Sequence, residues 1–485
     1  MIKNFKWLLL VSLTFVACDN NDEITTVPDS SDGLPLTAGS ADFAKYVALG
    51  DSFAAGYSDG ALFVKGQEGA YPNVLAQQFA LVGGGAFTTP LMADNIGGFL
   101  FMGNVAASPR LYFNGSGPVP VSGRPTTEIT TRLTGTFNNM GIPGAKSFHL
   151  IAPNYGAVAG VPLKTANPYF ARFASSATTT VLADVATQLP TFFSLWIGGN
   201  DVLGYALAGG VPKSQDPVNG DDITPAATFD FVYSTLITKL TEKGAKGVVA
   251  NLPYVSNLPY FTTVKYNAVP LAAAQVAALN SGYAAYNGGL MAAKNLNIIT
   301  EAERLQRTIN FIVGQNPVVI VDEYLTDITM VNPGLIKMRQ ATAMDYILLS
   351  SGGVSAQVHL AGGNGTAAPL SDKWVLSKNE LSEIVTATDA YNLTIKAVAD
   401  AKGLAFVDTK AIMNQLVNGG ISGNGFTVTA AFVTGGGFSL DGVHPSPRGY
   451  ALIANKFIEA INTTYGSNLK GVDLSNYRIL FPSTL

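Results

Sequence analysis

Tyr46-Val47-Ala48-Leu49-Gly50-Asp51-Ser52-Phe53 reads as an apolar strand that stops at a glycine and passes at once into a run compatible with a helix. Ligands of open α/β folds gather at the carboxyl ends of strands, so this reading puts the Ser52 hydroxyl where a nucleophile belongs. As a bare tripeptide, Gly-Asp-Ser is common and usually marks a turn. The strand directly before it makes it informative. Further along, Phe192 to Ile197 reads as a buried strand ending at Gly198, and Lys246 to Leu252 as another, stopped by Pro253. Val318–Val321 and Leu404–Val407 are further candidates. Helical spacing separates them: Val232, Leu236 and Leu240, then Ile384, Tyr391, Ile395 and Val398, and a last helix from Pro447 to about Ile461. Short apolar runs alternating with longer helical ones predict α/β layering around a mostly parallel sheet.

Two long irregular segments, about 80–138 and about 325–375, interrupt this rhythm and read as loop insertions into one fold rather than a second domain. The residues after Gly466 have no clear pattern and are set apart as a tail, 466–485. The chain has 485 residues, 47% hydrophobic and 13% charged, against roughly 25% charged in an average domain. Disorder of the bulk is excluded. A net charge of −4 offers no basic stripe to neutralise phosphates, which argues against a nucleic-acid partner. One Cys and three His exclude a disulfide framework and make a zinc ligand set hard to assemble, so no metal and no cofactor are expected. Asp216, Asp221 and Asp222 lack the spacing of a calcium loop and read as solvated.

The N-terminus reads as an address. A basic start with Lys3 and Lys6 precedes the apolar run Trp7–Ala17, too short to span a bilayer and suited to a secretory leader over 1–17. The single cysteine, Cys18, follows Ala17, and Phe15-Val16-Ala17-Cys18 resembles a bacterial lipobox with Phe15 where Leu is usual. That resemblance implies acylation of Cys18 and a membrane anchor. Residues 18–43 begin Asp19-Asn20-Asn21-Asp22-Glu23 and carry no Lys or Arg, so they read as an acidic, solvated tether. An acidic segment after the lipidated Cys resembles the surface-export signals of Bacteroidetes lipoproteins; a plain spacer reads equally well. The expected location is the cell envelope, as a lipoprotein of the outer membrane or of its surface.

Of the three histidines, only His444 has an acid three residues before it, in Asp441-Gly442-Val443-His444-Pro445. A loop Asp-x-x-His lets the carboxylate turn back onto one imidazole nitrogen and leaves the other as a base. A satisfied loop histidine is the bland alternative. Four short blocks in order, Gly50-Asp51-Ser52-Phe53, Asn139-Met140-Gly141-Ile142-Pro143-Gly144-Ala145, Gly198-Gly199-Asn200-Asp201 and Asp441 to Pro445, resemble those of the SGNH hydrolases, also called GDSL esterases and lipases. The resemblance covers about 44–465 and implies a three-layer α/β/α, flavodoxin-like fold with long loop insertions.

It also implies roles. Ser52 would be the nucleophile, His444 its base and Asp441 the group that steadies the imidazolium. The backbone N–H groups of Ser52 and Gly144 and the side-chain amide of Asn200 would form an oxyanion hole. Asp51 and Asp201 read as turn and scaffold carboxylates. The activity implied is hydrolysis of a carboxylic ester, an acyl lipid or an O-acylated carbohydrate. The rival reading is a non-catalytic surface lipoprotein that binds carbohydrate or a partner molecule through a vestigial site. Phe87, Leu91, Met92 and Phe99–Met102, with Leu111–Phe113, are either a greasy wall over Ser52 or the core of the inserted segment.

Overall fold

A computed structural model describes residues 29–30, 32–211, 221–349 and 360–485. The leader 1–17, Cys18, Asp216 and His359 lie outside the described residues. Five strands form the central sheet: β1 (Tyr46–Gly50), β2 (Asn139–Gly141), β3 (Phe192–Trp196), β4 (Lys246–Ala250) and β5 (Ala405–Val407). Their order is β5-β4-β3-β1-β2, and every neighbouring pair is parallel. This is the α/β class expected. All residues of β1 and β3 are buried, as strands covered on both faces must be.

The chain leaves β1 for β2 on one side and returns past it to β3 on the other, so the strand order reverses beside β1. Crevices for ligands open at such points, outside the carboxyl ends of the strands. Right-handed crossovers then put connections that run in opposite directions on opposite faces. Helix α2 (Tyr71–Ala80) packs against the last helix, α6 (Pro447–Tyr465), while α4 (Ala226–Thr241) packs against α5 (Lys378–Lys402). Each presents the apolar stripe its spacing predicts: Val232, Leu236 and Leu240 are buried on α4, and Ile384, Tyr391 and Ile395 on α5. Two further helices matter for the site, α1 (Ser52–Ala55) directly after β1 and α3 (Asn200–Leu207) directly after β3.

Three expectations are corrected. Val319–Val321 is a strand but not one of the central sheet; it pairs antiparallel with Met338–Gln340 inside the second insertion. Periodicity reports burial, and a β-branched run is buried equally well in either place. Residues up to 43 are not wholly solvated, since Leu36, Ala41 and Phe43 are buried and Phe43 stacks on Phe79 with ring centroids 4.0 Å apart. The last twenty residues also pack: Leu469, Leu474 and Phe481 are buried, and the interior Arg110 donates from Nη2 to Pro482 O at 2.8 Å. No helix among the described residues is long and apolar enough to cross a membrane.

Candidate active site

The turn after β1 carries the first group. Asp51 caps α1, accepting from the Phe53 N–H at 3.0 Å, so Ser52 becomes the first residue of the helix. Amides in a first helical turn have no intrahelical acceptor, which leaves the Ser52 N–H pointing outward. Burial pushes the Asp51 carboxyl up to about 7. Its role is the local capping expected of it.

The loop before α6 carries the second group. His444 Nε2 lies 2.8 Å from Ser52 Oγ, and His444 Nδ1 lies 2.8 Å from Asp441 Oδ2. Burial would raise the Asp441 carboxyl, but the His444 side chain and the His444 and Val443 N–H groups outweigh it and hold it at about 2. An ionised carboxylate only accepts, so Nδ1 must carry the hydrogen and Nε2 is the nitrogen left to take one from Ser52. The imidazole is clamped by aromatics, with Tyr57 at 4.6 Å and Phe53 at 5.4 Å between ring centroids. Phe53, the departure from leucine in the first block, thus packs on the histidine ring and on Trp196.

The second block supplies a turn. Ala145 N–H donates to Ile142 O at 3.0 Å, with Pro143 and Gly144 at the two central positions and Gly144 at φ +80°. This is the pattern of a type II turn, which needs glycine in the second central place. A Cβ at Gly144 would have no heavy atom within 4 Å, so the turn faces open space on the cleft side. Asn200, first residue of α3, donates from Nδ2 to Ala145 O at 2.9 Å. An amide nitrogen has two hydrogens; this bond fixes the plane of the group and aims the other.

Gly144 and Asn200 border one cleft of about 640 Å³, together with Phe99, Phe101, Lys146, His149 and Asn167. The first insertion contributes both to a core of its own and to the lining of this cleft. Phe99 belongs to a small separate core with Leu62, Met92 and Ile129, and with Phe101 it also walls the cleft. His149 Nδ1 accepts from the Lys146 N–H at 3.0 Å, and its ring stacks on Tyr155. Asp201 is buried and accepts from Ser147 N–H at 2.8 Å and Ser147 Oγ at 2.7 Å, tying α3 to the Gly144 loop. Burial raises its carboxyl to about 6.

Further residues position the relay and the Gly144 turn, none of them given that role by the sequence. The loop after α1 grips the His444 loop: Asp59 N–H donates to Ser439 Oγ at 3.0 Å, and Leu440 N–H donates to Asp59 Oδ1 at 2.9 Å. Gly60 N–H reaches Asp441 Oδ2 at 3.0 Å, and Ser58 Oγ donates to Pro445 O at 3.2 Å. On the other side, Asn139 Nδ2 donates to Ala54 O and Asn167 Nδ2 to Pro143 O, at 2.9 and 2.8 Å. Asp59 is separated from Leu440 by 381 positions, so spacing holds no trace of the pairing.

No family model matches the chain, and no curated protein matches it. Among solved structures, it is similar to LAE5, an alpha/beta hydrolase enzyme from the metagenome of Lake Arreo, Spain, at 11% identity and a TM-score of 0.31, over 87% of this chain and 96% of that one. It is also similar to an extracellular lipase from Streptomyces rimosus, at 12% identity and a TM-score of 0.27, over 86% of this chain and 98% of that one. At TM-scores this low the likeness carries no argument, and the reading of the site rests on its geometry.

Proposed function

We propose that the protein is a serine ester hydrolase of SGNH type, with Ser52 as nucleophile, His444 as general base and Asp441 as the group that orients the imidazole. The observation that carries this is the unbroken relay of two 2.8 Å contacts from Asp441 through His444 to Ser52 Oγ. In this mechanism Ser52 Oγ attacks the ester carbonyl as His444 Nε2 takes its proton. The negative charge that develops on the carbonyl oxygen is met by Ser52 N–H, Gly144 N–H and Asn200 Nδ2. His444 then gives the proton to the departing alcohol, and water repeats the cycle on the acyl-enzyme. Asp441, held as a carboxylate, stabilises the imidazolium of each half-reaction.

The substrate reading is an ester whose bulk lies along the Phe99–Phe101 wall, from an acyl lipid or an O-acylated carbohydrate. An envelope lipoprotein anchored through Cys18 is the location that goes with it, on the strength of the Phe15–Cys18 segment.

The test is labelling with a serine-reactive fluorophosphonate, followed by hydrolysis rates on acetyl and long-chain acyl esters. The expected result is a single label on the peptide containing Ser52, with the ratio of the two rates naming the acyl group. An unlabelled protein that hydrolyses neither ester would favour a surface binding protein with a vestigial site. For Asn200→Ala, kcat is expected to fall by about 10²–10³ with KM little changed, because the donor acts on charge present only in the transition state. Near-normal kcat would remove Asn200 from the oxyanion hole.

A further inference from the structure

Far from Ser52 in sequence, three carboxylates from three elements converge. Glu323 follows the strand Val319–Val321, Asp372 opens a short 3₁₀ turn (Asp372–Trp374), and Glu380 lies in the first turn of α5. One oxygen from each lies within 4.8 Å of the other two. Like charges so close repel, and a cluster of acids is by itself no site. Glu380 adds a separate observation. It is 0% exposed; its Oε2 accepts from the Ser377 N–H at 2.6 Å, while its Oε1 is buried with no hydrogen-bond partner. A buried carboxylate oxygen without a donor costs a large part of its hydration energy.

The cationic groups nearby are committed elsewhere. Lys337 Nζ donates to the backbone carbonyl of Glu323 at 3.0 Å, and Lys373 lies over the Trp374 ring. Arg339 is taken by Asp322 and, bidentately, by Asp345. Among the described residues, no lysine or arginine forms a salt bridge with any of the three acids. The neighbouring acid on α5, Glu383, is served by Tyr205 and Tyr324 hydroxyls, at 2.7 and 3.2 Å. Gly210 leaves room for the Glu380 side chain: a Cβ there would sit 2.2 Å from Glu380 Cδ and 2.5 Å from its Oε1.

We propose that Glu323, Asp372 and Glu380 bind a divalent cation of the calcium type, which pins the second insertion to α5. Calcium takes oxygen ligands in irregular arrangements and tolerates mixed one- and two-oxygen contacts, whereas magnesium demands a near-ideal octahedron. Three carboxylates from separate elements, one exposed, one half-buried and one buried, offer such a set with an open side for water.

The experiment is calorimetric titration of the chelator-treated full chain with calcium chloride, alongside thermal melts with calcium and with EDTA. One calcium per chain and a Tm several degrees higher with calcium are expected, since a ligand that binds only the folded state stabilises it. The double variant Glu323→Gln, Asp372→Asn should bind calcium at least about tenfold more weakly, because ligand charge sets affinity in such sites. In EDTA the same variant should melt no lower than the parent, since it removes repulsion and touches no core packing. That result separates loss of the site from loss of the fold. Absence of saturable calcium binding at millimolar concentrations, or unchanged binding in the double variant, would overturn the proposal.

Discussion

Replacing Ser52 by alanine is expected to reduce ester turnover by about 10⁵-fold or more while leaving the melting temperature within a few degrees of the parent. The size follows from the way triad members act as a unit: without the nucleophile the remaining donors can only polarise the ester for water. Fold stability is expected to survive because alanine keeps the backbone of α1, including its N–H and the Asp51 cap. Two measurements decide it, steady-state hydrolysis and fluorophosphonate labelling of the same preparation. Turnover at the parental rate in a folded Ser52→Ala protein would end the assignment of the nucleophile. Labelling that persists in that variant would move it to another serine.

The second large effect is expected from Asp441→Asn, a kcat loss of about 10⁴-fold. Asp441 Oδ2 receives both His444 Nδ1–H and Gly60 N–H, while Oδ1 receives the Val443 and His444 N–H groups, at 2.9 and 2.8 Å. An asparagine keeps one acceptor, which can satisfy the Val443 and His444 amides, but its NH₂ then faces the imidazole and the Gly60 N–H. His444 must accept at Nδ1, which places its hydrogen on Nε2, toward Ser52. The base is then in the wrong tautomer, although shape and size are preserved. A kcat within about tenfold of the parent would show that Asp441 serves the loop and not the imidazole. A rise in KM together with the fall in kcat would point to a distorted cleft instead.

The parts of this site that could be read without coordinates share one property, that their geometry is local. Asp441 and His444 are three residues apart, and Ser52 follows its strand directly, so each half of the relay is written in a few consecutive letters. The same holds for α4, α5 and α6, where a 3.6-residue repeat announces a buried stripe. The Gly144 turn is written in Pro143-Gly144. Where the reading failed, the deciding interaction was distant. Val319–Val321 has the composition of a central strand, but pairing with Met338–Gln340 is set by which backbone edge is available when the insertion folds. Phe43 and Phe481 anchor segments with no repeat at all, because a single aromatic in a waiting cavity needs no periodicity. Asp59 is the clearest case: it clasps a loop 381 positions away.

Chemistry-bearing residues and the strands and helices that deliver them are thus written along the chain, because secondary structure and capping depend on neighbours a few residues apart. Their convergence is not. The 2.8 Å approach of His444 to Ser52, the clasp around Asp441 and the meeting of Glu323, Asp372 and Glu380 each join elements from separate parts of the chain. Such distances are set by how the sheet orders its strands and how the insertions pack over it, which is a property of three-dimensional packing and leaves no mark on residue spacing.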